Sequence, residues 1–128
     1  MSDVLIIEDD AAVQEAYKIK FAKVQISINA IDDGKAAIEY ITKTTQDLPK
    51  VIMLDLMLSN ASGFDILEVI KKTKDWDKIP VIILSNLAQA SDVKRVMDMG
   101  AKEYLVKADV TIDRIIQKIQ NYLKLENK

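Results

Sequence analysis

Three consecutive acids, Glu8, Asp9 and Asp10, stand directly after the apolar run Val4 to Ile7. Asp55 follows Val51 to Leu54 in the same way, Ser85 and Asn86 follow Val81 to Leu84, and Lys107 follows Tyr104 to Val106. Carboxylates gathered at one place repel, by roughly 4 kcal/mol for unit charges ~4 Å apart at an effective dielectric of about 20. A hard divalent cation relieves that repulsion, and Mg2+ typically takes one or two carboxylates while keeping waters that a phosphate oxygen can replace. With Lys107 as a point charge and Ser85 as a hydroxyl donor, the set suits a phosphoryl group carried by Asp55, a carboxylate serving as nucleophile.

Composition closes other routes. The 128-residue chain contains no Cys and no His, which excludes thiol catalysis, thiolate metal sites, His-dependent triads, the usual zinc centres and imidazole acid–base chemistry. Its 18 basic and 20 acidic residues give a net charge of −2, without the basic surplus of a nucleic-acid binder, so direct nucleic-acid binding is not expected. At 49% hydrophobic and 30% charged residues, the chain reads as a globular protein with a core that needs no staples. No apolar run approaches the length of a membrane span, and no cationic leader precedes Val4. A cytoplasmic location without membrane insertion is the expectation.

The elements that must position these groups follow from hydrophobic spacing. Val4 to Ile7, Val51 to Leu54 and Val81 to Leu84 are short, fully apolar runs that read as buried strands. Val24, Ile26, Ile28 and Ala30 alternate with polar residues as an edge strand would, and Tyr104 to Val106 form the last strand. Between them, Val13, Ala16, Tyr17 and Phe21 fall at helical spacing, as do Ala37, Ile38 and Ile41. Leu67 and Ile70 mark a third helix starting near Gly63, Val93, Val96 and Met97 a fourth with Gly100 as C-cap, and Ile112 to Leu123 a fifth. Five strands alternating with five helices predict an α/β fold with a parallel sheet covered on both faces. Ligands of such sheets bind beyond the carboxyl ends of the strands, where the polar residues above stand.

Four segments carry a specific resemblance: Ile6-Ile7-Glu8-Asp9-Asp10, Leu54-Asp55-Leu56-Met57-Leu58 followed by Gly63, Ile83-Leu84-Ser85, and Gly100-Ala101 leading to Tyr104 and Lys107. In this order the chain resembles a receiver domain of the two-component response regulators over essentially its whole length. The resemblance implies a flavodoxin-like doubly wound (βα)5 fold with strand order 2-1-3-4-5, and a single receiver domain over residues 1–128 without an output domain. It implies Asp55 as phosphoacceptor, Glu8 and Asp9 with Asp55 as Mg2+ ligands, and Met57 as the residue lending a backbone carbonyl to the metal. Asp9 with Asp10 is the alternative register of the acidic pair. It further implies Ser85 as the hydroxyl that follows the phosphoryl group, Tyr104 as the switching aromatic, and Lys107 as the phosphate-binding cation. The implied partners are a sensor histidine kinase or phosphotransfer protein as donor and a separate downstream protein. The output surface would be built from the fourth helix, fifth strand and fifth helix, and a phosphorylation-dependent homodimer is open to such a chain.

Three positions depart from the family pattern. Ser59 stands where Pro is usual, which predicts a looser loop after Asp55. Asn86 replaces a smaller residue and is expected to narrow access, and Ala108 replaces the Pro that commonly follows the lysine, so a trans bond is expected there because a non-Pro cis bond costs about 3 kcal/mol. Plainer roles are expected elsewhere. Asp10 reads as a helix cap, Trp76 as a packing residue, and Lys71, Lys72 and Lys74 as a solvated helix end. Three other functions compete, a phosphorylation-independent interaction module, a Mg2+-dependent phosphohydrolase and a flavodoxin-like electron-transfer protein, the last opposed by the acids after the first strand, where an anionic cofactor needs a phosphate-cradling loop. The second is disfavoured because Met57 stands where a large hydrolase family needs an acid–base carboxylate.

Overall fold

The computed structural model describes residues 2–86 and 89–126. Five strands, β1 (Val4–Ile7), β2 (Ile28–Ile31), β3 (Val51–Leu54), β4 (Val81–Ser85) and β5 (Glu103–Val106), alternate with α1 (Ala11–Lys23), α2 (Gly34–Lys43), α3 (Gly63–Lys72), α4 (Ala90–Asp98) and α5 (Ile112–Glu126). The sheet is wholly parallel, in the order β2-β1-β3-β4-β5. This is the α/β doubly wound arrangement and strand order the family resemblance implies.

Because successive strand residues face opposite sides, the three central strands feed two cores. Leu5, Ile7, Ile52, Leu54, Val81 and Ile83 meet α2 and α3 through Ala37, Ile41, Ile66, Leu67 and Ile70. Val4, Ile6, Met53, Ile82 and Leu84 meet α1 and α5 through Tyr17, Phe21, Ile115, Ile116 and Ile119. Burial on both faces explains the unbroken apolar runs of β1, β3 and β4, whose residues are all buried. Trp76 is buried beside this core, its indole N–H donating to the Thr44 carbonyl at 2.9 Å and its ring edge-on to Tyr40. The packing role expected of it holds.

Helix starts are chemically specified. Asp10 caps α1 by accepting from the backbone of Ala12 and Val13, Asp33 caps α2 through Ala36, and Ser62 with Asp65 forms a reciprocal capping box on α3. Gly100, at φ 106°, follows the end of α4, a backbone conformation that side chains with a Cβ resist.

Two elements differ from the sequence expectation. The alternation beginning at Val24 is not yet strand. Val24 closes α1 with its N–H turned back to Phe21 and Ala22, and Gln25 takes φ 60°, so pairing starts at Ile28. β2 nevertheless lies at the sheet edge, half-buried throughout, as its mixed pattern predicts. In α4 only Val96 is buried, while Met97 is 40% exposed. One residue is about 100° of helix rotation, so Met97 points away when Val96 faces the sheet. Among the described residues, no helix is long and apolar enough to cross a membrane.

Candidate functional site

Register brings the polar residues to one rim. Ile7 pairs with Leu54 and Leu54 with Ile83, so the chain leaves β1 and β3 at the same level and β4 continues to Ser85. The Asp55 N–H donates to the Ile7 carbonyl at 3.1 Å and the Glu8 N–H to the Ile31 carbonyl at 3.0 Å, extending the ladder one residue beyond each strand. Glu8 and Asp55 are therefore buried carboxylates, 3% and 5% exposed, while Asp9 is exposed. One carboxylate oxygen of each lies within 4.8 Å of the other two.

Lys107 closes the cluster. Its ammonium donates to Asp55 Oδ2 at 2.7 Å and to Glu8 Oε2, a link of the last strand to the first and third. The remaining oxygens are also engaged: Glu8 Oε1 accepts from the Asp10 N–H at 3.1 Å, and Asp55 Oδ1 from the Met57 N–H at 3.0 Å. Burial raises the Glu8 pKa and outweighs the opposing pull of Lys107 and of the Asp10 N–H, with Asp55's charge adding to the rise. Burial works against the Lys107 charge too, yet the hydrogen bonds and charges of Asp55 and Glu8 outweigh it and hold its pKa above the ordinary lysine value. Burial, with the charges of Glu8 and Asp55, pushes the Tyr17 phenol far up.

The other predicted residues take separate stations. Asp10 is occupied as the α1 cap, which leaves Glu8 and Asp9 as the pair that faces Asp55. Met57 is at the rim and 59% exposed. Ser85 is completely buried at the end of β4, in register with Val106. Tyr104 is half-buried against the α2–α3 core, and among the described residues its hydroxyl has no hydrogen-bond partner. Burial and the charges of Asp92 and Asp55 raise its pKa. Leu87, which with Met57 forms the apolar pair that the family resemblance links to phosphoryl lifetime, lies outside the described residues.

The departures from the family pattern take on structural roles. The loop expected to be looser at Ser59 is tied at both sides: the Ser59 hydroxyl donates to Asp9 Oδ2 at 3.1 Å, and the Ser59 carbonyl accepts from the Gly34 N–H at 3.0 Å. Ser59 thereby meets the loop after β1 and the start of α2 through hydrogen bonds, of which the hydroxyl's is the one a Pro could not make. Asn86 is exposed, and its Oδ1 accepts from the Ala108 N–H at 3.0 Å, fastening the segment after β4 to the one carrying Lys107. The Lys107–Ala108 bond is trans, as expected.

Two supporting residues escape a reading by motif. Buried Gln14 on α1 donates from Nε2 to the Glu8 carbonyl at 2.6 Å; its only sequence signal is its spacing, three and seven residues before Tyr17 and Phe21 on the buried side of α1. Gly63 opens α3 so close to the site loop that a Cβ there would lie 2.4 Å from the Asp55 carbonyl oxygen and 2.5 Å from Leu56 Cα.

Comparison with known proteins gives one consistent picture. The pattern of the "Response regulator receiver domain" matches residues 4–120. The DNA-binding dual master transcriptional regulator RpaA of Synechocystis is 33% identical over 107 residues, 84% of this chain and 43% of that protein. The chain spans less than half the length of RpaA and of several other curated relatives it matches. A Francisella response regulator receiver domain superposes with a TM-score of 0.83 at 28% identity, covering 98% of this chain and 99% of the other. The receiver domain of a Pseudomonas aeruginosa sensor histidine kinase, solved with a magnesium ion coordinated in its active site cleft, superposes with a TM-score of 0.81 at 18% identity, covering 96% and 98%.

Proposed function

The chain belongs to the response regulator receiver family, and from that premise we propose that it is a phospho-accepting signalling switch with Asp55 as the acceptor. The observation that carries the reading is the contact of one ammonium, Lys107, with both Asp55 and Glu8 at the rim where Asp9 also stands. A buried nucleophilic carboxylate, an acidic pair and a fixed cation are the parts that phosphoryl transfer to an acid requires.

The donor set fits Mg2+. All three side-chain ligands are hard oxygens already gathered within 4.8 Å, and the repulsion between them calls for more positive charge than Lys107 alone supplies. Glu8, Asp9 and Asp55 would hold the ion, with the Met57 carbonyl as a fourth ligand. When bound, Mg2+ neutralises charge on the acceptor and on the incoming phosphoryl oxygens.

In the transfer step an Asp55 carboxylate oxygen attacks phosphorus, the new O–P bond forms, and the N–P bond of a donor phosphohistidine breaks, its electron pair returning to the imidazole. Lys107 moves from carboxylate to phosphoryl oxygen, matching the charge that arrives. Ser85 supplies a hydroxyl beside the phosphoryl group, and Tyr104 follows. A buried hydroxyl with no partner among the described residues is costly where it stands, typically by about 1–3 kcal/mol, which supports a second position for Tyr104 within reach of a modest driving force. The surface formed by α4, β5 and α5 changes accordingly.

The only chemistry in this reading is the chain's own phosphorylation and dephosphorylation, so it acts as a regulator and not as an enzyme on other substrates. A histidine kinase or phosphotransfer protein is the donor, a separate protein reads the altered surface, and the setting is cytoplasmic. Intact-mass measurement after Mg2+ and acetyl phosphate tests the reading. One added phosphoryl group is expected on the wild type and none on Asp55→Asn or in excess chelator. An unmodified wild type would leave the phosphorylation-independent interaction module as the better description.

A further inference from the structure

Of the three clustered carboxylates, Glu8 and Asp55 are buried and held by Lys107 and by backbone N–H groups, whereas Asp9 is exposed. Its carboxylate receives a side-chain donor from across the cleft, the Ser59 hydroxyl at 3.1 Å from Oδ2. Ser59 is exposed, but its backbone is not loosely placed. Its carbonyl takes the Gly34 N–H at 3.0 Å, and the next residue, Asn60, donates from Nδ2 to Oδ1 of Asp33, the cap of α2. Gly34 permits this approach, since a Cβ there would lie 2.6 Å from the Ala61 carbonyl oxygen. The hydroxyl is thus carried on a loop tied to the start of α2 and directed at one carboxylate.

We infer that Ser59 is a positioning residue for Asp9, holding its carboxylate in the orientation a divalent cation uses. The inference rests on the metal reading of the cluster. A proline at this place has no hydroxyl to offer, so this chain orients its exposed acid by a hydrogen bond that the family's usual residue cannot make. An acid left to rotate in water loses that freedom when it binds a cation, and an acid already held loses less. Outer residues that orient metal ligands are typically worth 10–100-fold in affinity. With both partners exposed, a loss of about three- to tenfold is expected here.

Two measurements on the intact chain test this. In the metal-free protein, χ1-dependent scalar couplings of Asp9 should report one rotamer for wild type and Ser59→Thr, and rotamer averaging for Ser59→Ala. In calorimetric titration with Mg2+ alone, Ser59→Ala should bind about three- to tenfold more weakly and Ser59→Thr should recover wild-type affinity. Amide spectra establish that each variant is folded. Wild type that binds no Mg2+ would overturn the metal reading and this inference with it. Wild type that binds, with affinity and couplings unchanged in Ser59→Ala, would overturn the role of Ser59 alone.

Discussion

Lys107 and Asp55 are separated by 52 residues and joined by a 2.7 Å hydrogen bond between Nζ and Oδ2. Two intervening strand pairings produce that contact, β3 with β4 and β4 with β5, each in parallel register, so that both residues leave the sheet at its carboxyl rim. The same ammonium reaches Glu8 across a further strand, and the charge balance of the rim depends on it.

Replacing Lys107 with Met should therefore destabilise the metal-free protein by roughly 2 kcal/mol, below the ~3–5 kcal/mol of a fully buried pair because the lysine side chain keeps 19% exposure. Glu8 already has a raised pKa, so the folded state binds protons more tightly there than the unfolded chain does, and its ionisation costs stability as pH rises through that raised value. Loss of Lys107 raises it further. In urea unfolding the penalty should be larger at neutral than at acid pH, and added Mg2+ should reduce it. A penalty independent of both pH and Mg2+ would contradict the charge-balance account.

Ser85→Ala should leave phosphorylation of Asp55 measurable while weakening the conformational response, because a completely buried hydroxyl at the end of β4 is suited to following a phosphoryl oxygen. Amide shift changes across α4 and β5 on phosphorylation are the readout. Changes equal to those of wild type would remove Ser85 from the switch.

Gly63→Ala tests the packing of the site loop. The added Cβ would sit 2.4 Å from the Asp55 carbonyl oxygen, a backbone atom that cannot yield without moving the end of β3. Overpacking typically costs about 1–3 kcal/mol, and the upper part of that range is expected from urea unfolding, together with shifted amides at Asp55 and Leu56. A variant within about 0.5 kcal/mol of wild type would show that the loop adapts freely.

Phosphoryl lifetime should be set by apolar residues. Met57 is 59% exposed at the rim and offers no group to orient a hydrolytic water, and the sequence places another apolar residue, Leu87, two beyond Ser85. Slow self-dephosphorylation is expected. The pair Met57→Asn with Leu87→Glu should speed loss of the phosphoryl group by about tenfold or more, in line with general acid–base and positioning effects. An unchanged rate at saturating Mg2+ would exclude the idea.

The residues alone determine the alternation of strands and helices, because burial on both faces forces continuous apolar runs in β1, β3 and β4 and because polar residues begin where those runs stop. They also place the acids, the serine and the lysine at strand ends, and the family resemblance carries the strand order. Helix caps such as Asp10 are legible for a local reason: the donor N–H groups lie two and three residues away. What the sequence leaves open is decided by contacts between distant segments. Val24 opens an alternating pattern yet closes a helix, since a period of two over a few residues does not reveal where the preceding hydrogen bonds end. Ser59 reads as a missing Pro, and only the approach of the β3–α3 loop to Asp9 and Gly34 turns it into a hydrogen-bonding partner. Likewise Gln14 meets the Glu8 carbonyl, Asn86 meets the Ala108 N–H, and Lys107 meets two carboxylates only after register is set. Local chemistry is written within a few residues of chain, but the partner of a polar side chain across a sheet is chosen by which backbones lie side by side, and that is a property of the assembled fold.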